Sequence, residues 1–373
     1  MKRTRKVGAV RVLLAGGGTG GHLMPALALA QALREARPEV EPVLVGALRG
    51  IEGEVLPRHP FRFHLVPIEP IHRRAWWRNL RWPLVAWRSW RAVGRILAAE
   101  RPAVVIGTGG YAAGPVVLRA QRAGIPTVVQ EQNAFPGLTS RWLAGGARQV
   151  HLGFPEARAR LHPGATTEVY CFGNPIRPPP HPQPGDRAAA LRAFGLESGR
   201  PTLLVFGGSQ GARAINYAVA AALERRMLGA VNVLWGAGAA HQAALASYAV
   251  PGRVVVQGFF DPMAAAYRAA DLVVCRAGAM TIADLCAWGK PSVLVPLPSA
   301  AAAHQAFNAH ALAAAGAAVL LPEEQLGAQR LAQLVRELVR DEQRLGSLAA
   351  RARERGHPDA AREIVSRILT LVV

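Results

Sequence analysis

With 373 residues, 51% hydrophobic and 18% charged, the chain is too long for one ordinary core and too apolar to be disordered, so it suits two globular domains. The formal net charge of +20 is carried almost wholly by arginine, the only lysines being Lys2, Lys6 and Lys290. Such an excess favours anionic partners: nucleic acid, phosphorylated substrates or acidic lipid headgroups. Cys171, Cys275 and Cys286 have no metal-like spacing and leave an odd count, so a reduced cytoplasmic compartment fits best. The basic start resembles the first region of a signal peptide. The apolar run behind it is broken by Arg11 and ends in glycines, so it reads as a strand. No stretch reaches the roughly 18 apolar residues of a membrane span.

In chain order, the first strand runs Val12-Leu13-Leu14-Ala15 into Gly16-Gly17-Gly18-Thr19-Gly20-Gly21-His22 and an Ala/Leu-rich helix over 25–33. Strands follow at 42–45 and 61–68. Next, 71–97 holds Trp76, Trp77, Trp82, Trp87 and Trp90, five of the eight tryptophans, among seven arginines. From Pro83 onward, Leu84, Trp87, Ile96 and Leu97 can share one helix face and Arg88, Arg91 and Arg95 another. Tryptophan beside arginine suits the headgroup layer of an anionic bilayer, the competing reading being a core helix with a solvated basic side. A strand at 103–106 opens into Gly107-Thr108-Gly109-Gly110-Tyr111, and one at 126–130 ends in Glu131-Gln132-Asn133. The proline-rich run 178–185 tolerates neither helix nor central strand and reads as a linker. A second strand, glycine turn and helix starts at Leu203-Leu204-Val205-Phe206-Gly207-Gly208-Ser209-Gln210-Gly211. Strands at 231–234, 253–256, 272–274 and 292–295 follow, and 360–373 closes as an amphipathic helix. This alternation predicts an α/β class with doubly wound parallel sheets. The domains divide as 1–175, a linker over 176–200, 201–358, and a helix over 359–373 whose domain the sequence does not fix, packing back on the first domain being one option.

Several chemistries compete for the first glycine cluster. Gly16, Gly18 and Gly21 satisfy G-x-G-x-x-G, but the second strand ends in Val45-Gly46-Ala47-Leu48-Arg49 without the acid that holds a ribose, which argues against hydride transfer. Neither glycine turn carries the Gly-Lys-Ser/Thr of a phosphoryl-transfer P-loop. Nucleic-acid binding rests on charge alone, with no recognisable module. Glycosyl transfer from a nucleotide sugar remains. Strand 272–275 opens into Arg276-Ala277-Gly278-Ala279-Met280-Thr281, a helix start able to receive a diphosphate, and Asp284 can accept from ribose hydroxyls. A solvated carboxylate near a helix N-terminus is the alternative for Asp284. With six aspartates and no Asp-x-Asp, a metal-clamped diphosphate is not expected; main-chain amides would stabilise the leaving UDP.

Seven ordered motifs resemble the MurG family over nearly the whole chain: Gly17-Gly18-Thr19-Gly20-Gly21-His22, Gly109-Gly110-Tyr111, Glu131-Gln132-Asn133, Gly173-Asn174-Pro175-Ile176-Arg177, Gly207-Gly208-Ser209-Gln210-Gly211-Ala212, Gly278-Ala279-Met280-Thr281 and His304-Gln305-Ala306-Phe307-Asn308-Ala309. The resemblance implies a GT-B fold, two Rossmann-like domains facing a cleft. It also implies an inverting N-acetylglucosaminyltransferase of peptidoglycan synthesis, serving cell shape and division. Such an enzyme moves GlcNAc from UDP-GlcNAc to the MurNAc 4-hydroxyl of undecaprenyl-pyrophosphoryl-MurNAc-pentapeptide (lipid I), giving lipid II. It would work without a metal or other cofactor, peripherally on the cytoplasmic face of the membrane, with anionic lipids and no nucleic acid as partners. Other GT-B enzymes, a glycolipid synthase or a UDP-GlcNAc 2-epimerase, are the nearest alternatives.

Carried over by position, Thr19, Gly20, Gly21 and Asn133 resemble sugar-facing contacts, and Arg177 and Ser209 resemble residues at the UDP moiety. Phe260 matches a position whose backbone meets uracil, Ala279, Met280 and Thr281 match diphosphate and sugar contacts, and Gln305 matches a GlcNAc-hydroxyl contact. Gly18, Gly109, Gly110 and Tyr111 would hold the acceptor pyrophosphate. The ribose acid is Asp284 where the family usually has Glu, and Ala277 replaces a serine. Ala300-Ala301-Ala302-Ala303 stands where polar residues are common. For the general base, His22 is the first candidate, since imidazole titrates near neutrality, and Glu131 the second. A structural role for His22, orienting its loop or meeting pyrophosphate as a cation, is the competing reading.

Overall fold

The computed structural model describes residues 10–70, 80–208 and 210–372, so Trp76, Trp77 and Ser209 lie outside the described residues. The chain forms two compact units: Met1–Arg177 with Asp359–Val373, and Pro178–Pro358.

The first unit contains strands β1 (Val10–Ala15), β2 (Val40–Ala47), β3 (Arg62–Val66), β4 (Val104–Gly107), β5 (Thr127–Glu131), β6 (Gln149–Leu152) and β7 (Glu168–Tyr170). They pair in parallel in the order β3-β2-β1-β4-β5-β6-β7. Parallel neighbours need crossovers, supplied here by α1 (Gly20–Ala36), α2 (Glu52–Val55), α3 (Trp82–Glu100), α4 (Gly110–Arg122) and α5 (Leu138–Leu143). Strand β1 is apolar on both faces because helices cover both. Val12 and Leu14 pack with Leu23 and Leu27 of α1, while Leu13 and Ala15 pack with Val93 of α3 and Val116 of α4.

Helix α1 starts at Gly20, so Gly20, Gly21 and His22 form its first turn rather than the turn before it. The predicted helix face of 83–97 is corrected. Ser89, Val93, Leu97 and Glu100 are buried, whereas Leu84 and Trp87 are exposed. Ser89 enters the core because its hydroxyl donates to Pro67 O at 2.7 Å. Strands β6 and β7 escaped the sequence reading. The residues Gln149 and His151 look solvent-facing yet are fully buried: Gln149 Nε2 donates to Arg367 O at 3.1 Å, and the His151 ring stacks on Tyr170 at 5.4 Å. Burial, with Arg367 adding, pushes the His151 imidazole down to about 3, so it stays neutral.

The second unit opens with α6 (Asp186–Ala193), so 176–200 is not linker throughout; the irregular run ends at Gly185, the N-cap of that helix. Strands β8 (Thr202–Phe206), β9 (Asn232–Gly236), β10 (Val254–Gln257), β11 (Leu272–Cys275), β12 (Ser292–Leu294) and β13 (Val319–Leu320) follow. They form a parallel sheet in the order β10-β9-β8-β11-β12-β13. Its helices are α7 (Arg213–Glu224), α8 (Gln242–Leu245), α9 (Met263–Ala269), α10 (Ala279–Ala287), α11 (His304–Ala314), α12 (Ala328–Arg340) and α13 (Glu342–Glu354). The last helix, α14 (Ala360–Leu369), rejoins the first unit, burying Ile364, Val365 and Ile368 with Leu23, Leu27 and Leu33 of α1. Both sheets reverse strand order beside their first strand, between β1 and β4 and between β8 and β11. Ligands of doubly wound sheets bind at the carboxyl ends of strands flanking such a point.

Candidate active site

In the first unit the loops after β1, β4 and β5 meet at the carboxyl end of the sheet. His22, third residue of α1, pairs its Nδ1 with Thr19 Oγ1 at 3.0 Å, and a Cβ at Gly109 would lie 2.7 Å from its Cδ2. The β1 and β4 loops therefore touch through the histidine, at the switch point. Thr108 Oγ1 donates to His22 O at 2.8 Å, holding the first turn of α1 against β4.

The glycines of the first loop divide into two kinds. Cβ atoms at Gly16, Gly17 and Gly18 would collide with Thr108 Oγ1, the Glu52 carboxylate and the Tyr111 ring, and one at Gly110 with Gly17 O. These four are glycine because protein atoms already fill the space. Gly20 and Gly21 are exposed, with nothing nearer than Ile51 Cδ1 at 4.0 Å and Thr19 Oγ1 at 3.8 Å. The open amide face is thus the start of α1, not Gly18. Tyr111 lies against Gly18, and burial, with Glu52 and Glu69 adding, raises its phenol above the ordinary value.

Glu131, the second candidate base, is 2% exposed, and its carboxylate organises its own loop. Its Oε1 accepts from Asn133 N at 2.9 Å and Asn133 Nδ2 at 3.2 Å; its Oε2 accepts from Gly137 N at 2.9 Å. With both oxygens engaged this way, the carboxylate anchors its own loop. Beneath the loop sits an amide network that the sequence reading did not single out. Gln132 Nε2 donates to Thr108 O at 2.8 Å, Asn174 Nδ2 to Gln132 O at 2.9 Å, and Gln130 Nε2 to Asn174 Oδ1 at 3.0 Å. Arg177, just after it, is exposed and ends the unit's first segment.

In the second unit, Gly278 is the N-cap of α10, at φ −67°, and a Cβ there would meet nothing nearer than Thr281 Oγ1 at 3.6 Å. Ala279, Met280 and Thr281 are the first three helical residues, so they form the partially positive N-terminal turn of α10. Gly208, at φ +88°, also faces open space, whereas Gly207 and Gly211 are packed against backbone of Ala212 and Ala237. Glycines with space beside them at the ends of β8 and β11, the second at a helix start, suit a diphosphate. Asp284 lies one turn further along α10, and burial pushes its carboxyl up to about 7. Tyr267 nearby has its phenol raised well above the ordinary value by burial, with Asp284 adding. Phe260 is buried edge-on to Phe194 at 5.5 Å, which keeps its ring out of reach of a ligand. Gln305 Oε1 accepts from Leu297 N at 3.0 Å, which fixes the orientation of its amide. Arg276, buried before the glycine turn, donates to Val295 O at 3.2 Å and pairs with Glu323, fixing the β11 and β12 ends together.

The aromatic stretch separates likewise. Trp87 is 54% exposed with Arg91 over its ring at 4.9 Å, and Leu80, Arg81, Leu84, Arg88 and Arg95 are exposed around it. Trp90 is not outward: it is half-buried beneath Arg119 and Arg122 of α4, at 4.5 and 5.1 Å, and Trp82 is also half-buried. Trp142 on α5, 73% exposed, is an outward tryptophan that the sequence reading passed over. No described helix is long and apolar enough to cross a membrane.

Residues 12–152 match the glycosyltransferase family 28 N-terminal domain and residues 202–364 its C-terminal domain. The chain is 42% identical over 372 residues to a UDP-N-acetylglucosamine–N-acetylmuramyl-(pentapeptide) pyrophosphoryl-undecaprenol N-acetylglucosamine transferase of Chlorobaculum tepidum, covering 97% of this chain and 99% of the relative. A crystal structure of MurG from Acinetobacter baumannii superposes with a TM-score of 0.75 at 30% identity, covering 97% and 99% of the two chains. A UDP-N-acetylglucosamine 2-epimerase structure shares the fold, with a TM-score of 0.63 at 14% identity over 97% and 96%. The fold of its two parallel-sheet units is GT-B, and the chain belongs to glycosyltransferase family 28, as a member of the MurG family.

Proposed function

We propose that this enzyme transfers GlcNAc from UDP-GlcNAc, with inversion, to the MurNAc 4-hydroxyl of lipid I, forming the lipid II of peptidoglycan synthesis. One observation carries the reading: end-to-end similarity, at 42% identity, to a relative named for this reaction. The donor binds the second unit. Amides of Gly278, Ala279 and Met280 receive the diphosphate, Asp284 accepts from the ribose, and Gln305 Nε2 meets the sugar. Ser209, by its match to the family, is a further contact for the UDP, and Arg177 is a candidate for the same role. Charge developing on the leaving UDP is met by the N-terminus of α10 and by no metal ion, which makes transfer insensitive to chelators. The acceptor binds the first unit, its pyrophosphate at the exposed start of α1 and its sugar near Asn133. His22 takes the proton of the 4-hydroxyl as the anomeric bond to phosphate breaks.

The lipid tail requires the enzyme to work at the cytoplasmic face of the membrane. The surface around Trp87, with its arginines, is the docking face, and tryptophan plus guanidinium suit anionic headgroups. Binding to vesicles then needs anionic lipid and weakens with salt.

The test is labelled UDP-GlcNAc with a short-chain lipid I analogue. The expected result is acceptor-dependent UDP release and a β-linked disaccharide product. Loss of UDP-GlcNAc without acceptor, giving the 2-epimer, would make the chain an epimerase instead.

A further inference from the structure

Glu52 is fully buried at the first position of α2, in a chain whose charge is strongly positive. Among the ion pairs of the described residues none involves Glu52; its neighbour Arg49 pairs with Glu69 at 2.8 Å. Instead its carboxylate sits in a cup of glycines drawn from the loop after β1, the end of β2 and the loop that follows β2. Oε1 accepts from Gly18 N; a Cβ at Gly17 or Gly50 would collide with the carboxylate, and one at Gly46 would come within 2.6 Å of Cγ. Among the described residues Oε2 has no hydrogen-bond partner. A buried carboxylate so sparsely satisfied costs folding free energy, and hydrophobic replacements at such places are often neutral or stabilising. Stability alone therefore does not account for it.

We infer that Glu52 is a positioning residue for the acceptor site: it sets the main-chain orientation of Gly17, Gly18 and Thr19, and through Thr19 that of His22. The inference rests on the first unit's being the acceptor unit. Taking the Gly18 N–H inward fixes the peptide plane that leads into Thr19. Thr19 is the N-cap of α1, with its hydroxyl on His22 Nδ1. With Tyr111 against Gly18 on one side and Thr108 against Gly16 on the other, the carboxylate is the third wall of the loop. The open amides at the start of α1 and the imidazole then share one rigid support. A carboxylate directly lining a pyrophosphate site would repel it; beneath the loop, its charge is spent on one inward-facing amide.

The test uses the full-length enzyme with Glu52→Gln, Glu52→Asp and Glu52→Ala, reading acceptor KM, kcat, UDP dissociation constant and hydrogen exchange at Gly18 and Thr19. Aspartate is one methylene too short to reach Gly18, whereas glutamine keeps an accepting oxygen in place. The expected result is an acceptor KM raised about tenfold or more in the Asp and Ala variants, with the UDP dissociation constant within about twofold of the parent. Faster exchange at Gly18 accompanies it, and the Gln variant recovers most of both. Unchanged acceptor KM and exchange in the Asp variant overturn the inference, as does equal weakening of donor and acceptor. Should the parent not transfer GlcNAc at all, the proposed reaction fails, while exchange at Gly18 still decides whether Glu52 anchors the loop.

Discussion

The two units repeat one motif, strand to glycine turn to helix, and use its glycines differently. In the first, Gly16, Gly17 and Gly18 are pinned between Thr108, Glu52 and Tyr111, and the open amides begin only at Gly20. In the second, Gly208 and Gly278 face space, and the nearby acid is Asp284 on the helix rather than a carboxylate beneath the loop. Glycine thus serves two ends within each unit: Gly207 and Gly211 are packed against backbone much as Gly16, Gly17 and Gly18 are packed against side chains, while Gly20, Gly21, Gly208 and Gly278 face space. The units differ in what does the packing, a buried carboxylate and a tyrosine ring in the first turn and main chain in the second.

The comparison breaks most visibly at His22. His22→Ala is expected to lower turnover by roughly 100- to 1,000-fold while leaving UDP affinity nearly intact, since a positioned base contributes that much. Near-normal turnover in steady-state kinetics would remove it as base. Next, Gly17→Ala and Gly278→Ala separate pinned glycine from open glycine. The first drives a methyl into Glu52 and should cost about 1–3 kcal/mol, read as a lower denaturation midpoint. The second, at φ −67°, should leave the midpoint nearly unchanged and weaken UDP binding instead. Equal effects of the pair on stability would erase the distinction.

Asp284 sharpens the donor side. A carboxyl whose folded value is raised to about 7 binds its proton more tightly folded than unfolded. Its contribution to folding stability is therefore lost as pH rises from about 4 to about 7, and is flat above that. Ribose hydroxyls donate to the ionised form, so UDP affinity should rise about tenfold between pH 6 and pH 8 as the carboxyl ionises. Asp284→Asn should flatten that profile in calorimetric titrations; a pH-independent parent affinity would return Asp284 to a structural role. The smallest effect is expected at Trp87. Trp87→Ala should weaken binding to anionic vesicles severalfold, consistent with about 1–2 kcal/mol for one aromatic leaving the interface, with transfer to a soluble acceptor unchanged.

Local grammar carried the fold: an apolar run such as Leu203-Leu204-Val205-Phe206 before glycines reads as a buried parallel strand without help. Strand β6 was illegible because Gln149 and His151 are buried only by partners far along the chain, Arg367 among them. Likewise the open turn at Gly278 was readable, since a strand, a glycine and a helix start adjoin in sequence. Glu52 was not, because it lies 34 residues from the Gly18 amide it holds, and nothing in its own neighbourhood points there. Trp90 misled for the same reason: Arg119 and Arg122, which cover it, belong to another helix.

The most direct measurement is a crystal structure of the enzyme with UDP. The phosphates should lie on the main-chain amides of Gly278, Ala279 and Met280, with a ribose hydroxyl on Asp284 and no metal ion between. UDP lodged at the start of α1 beside His22, or held through a divalent cation, would contradict the account.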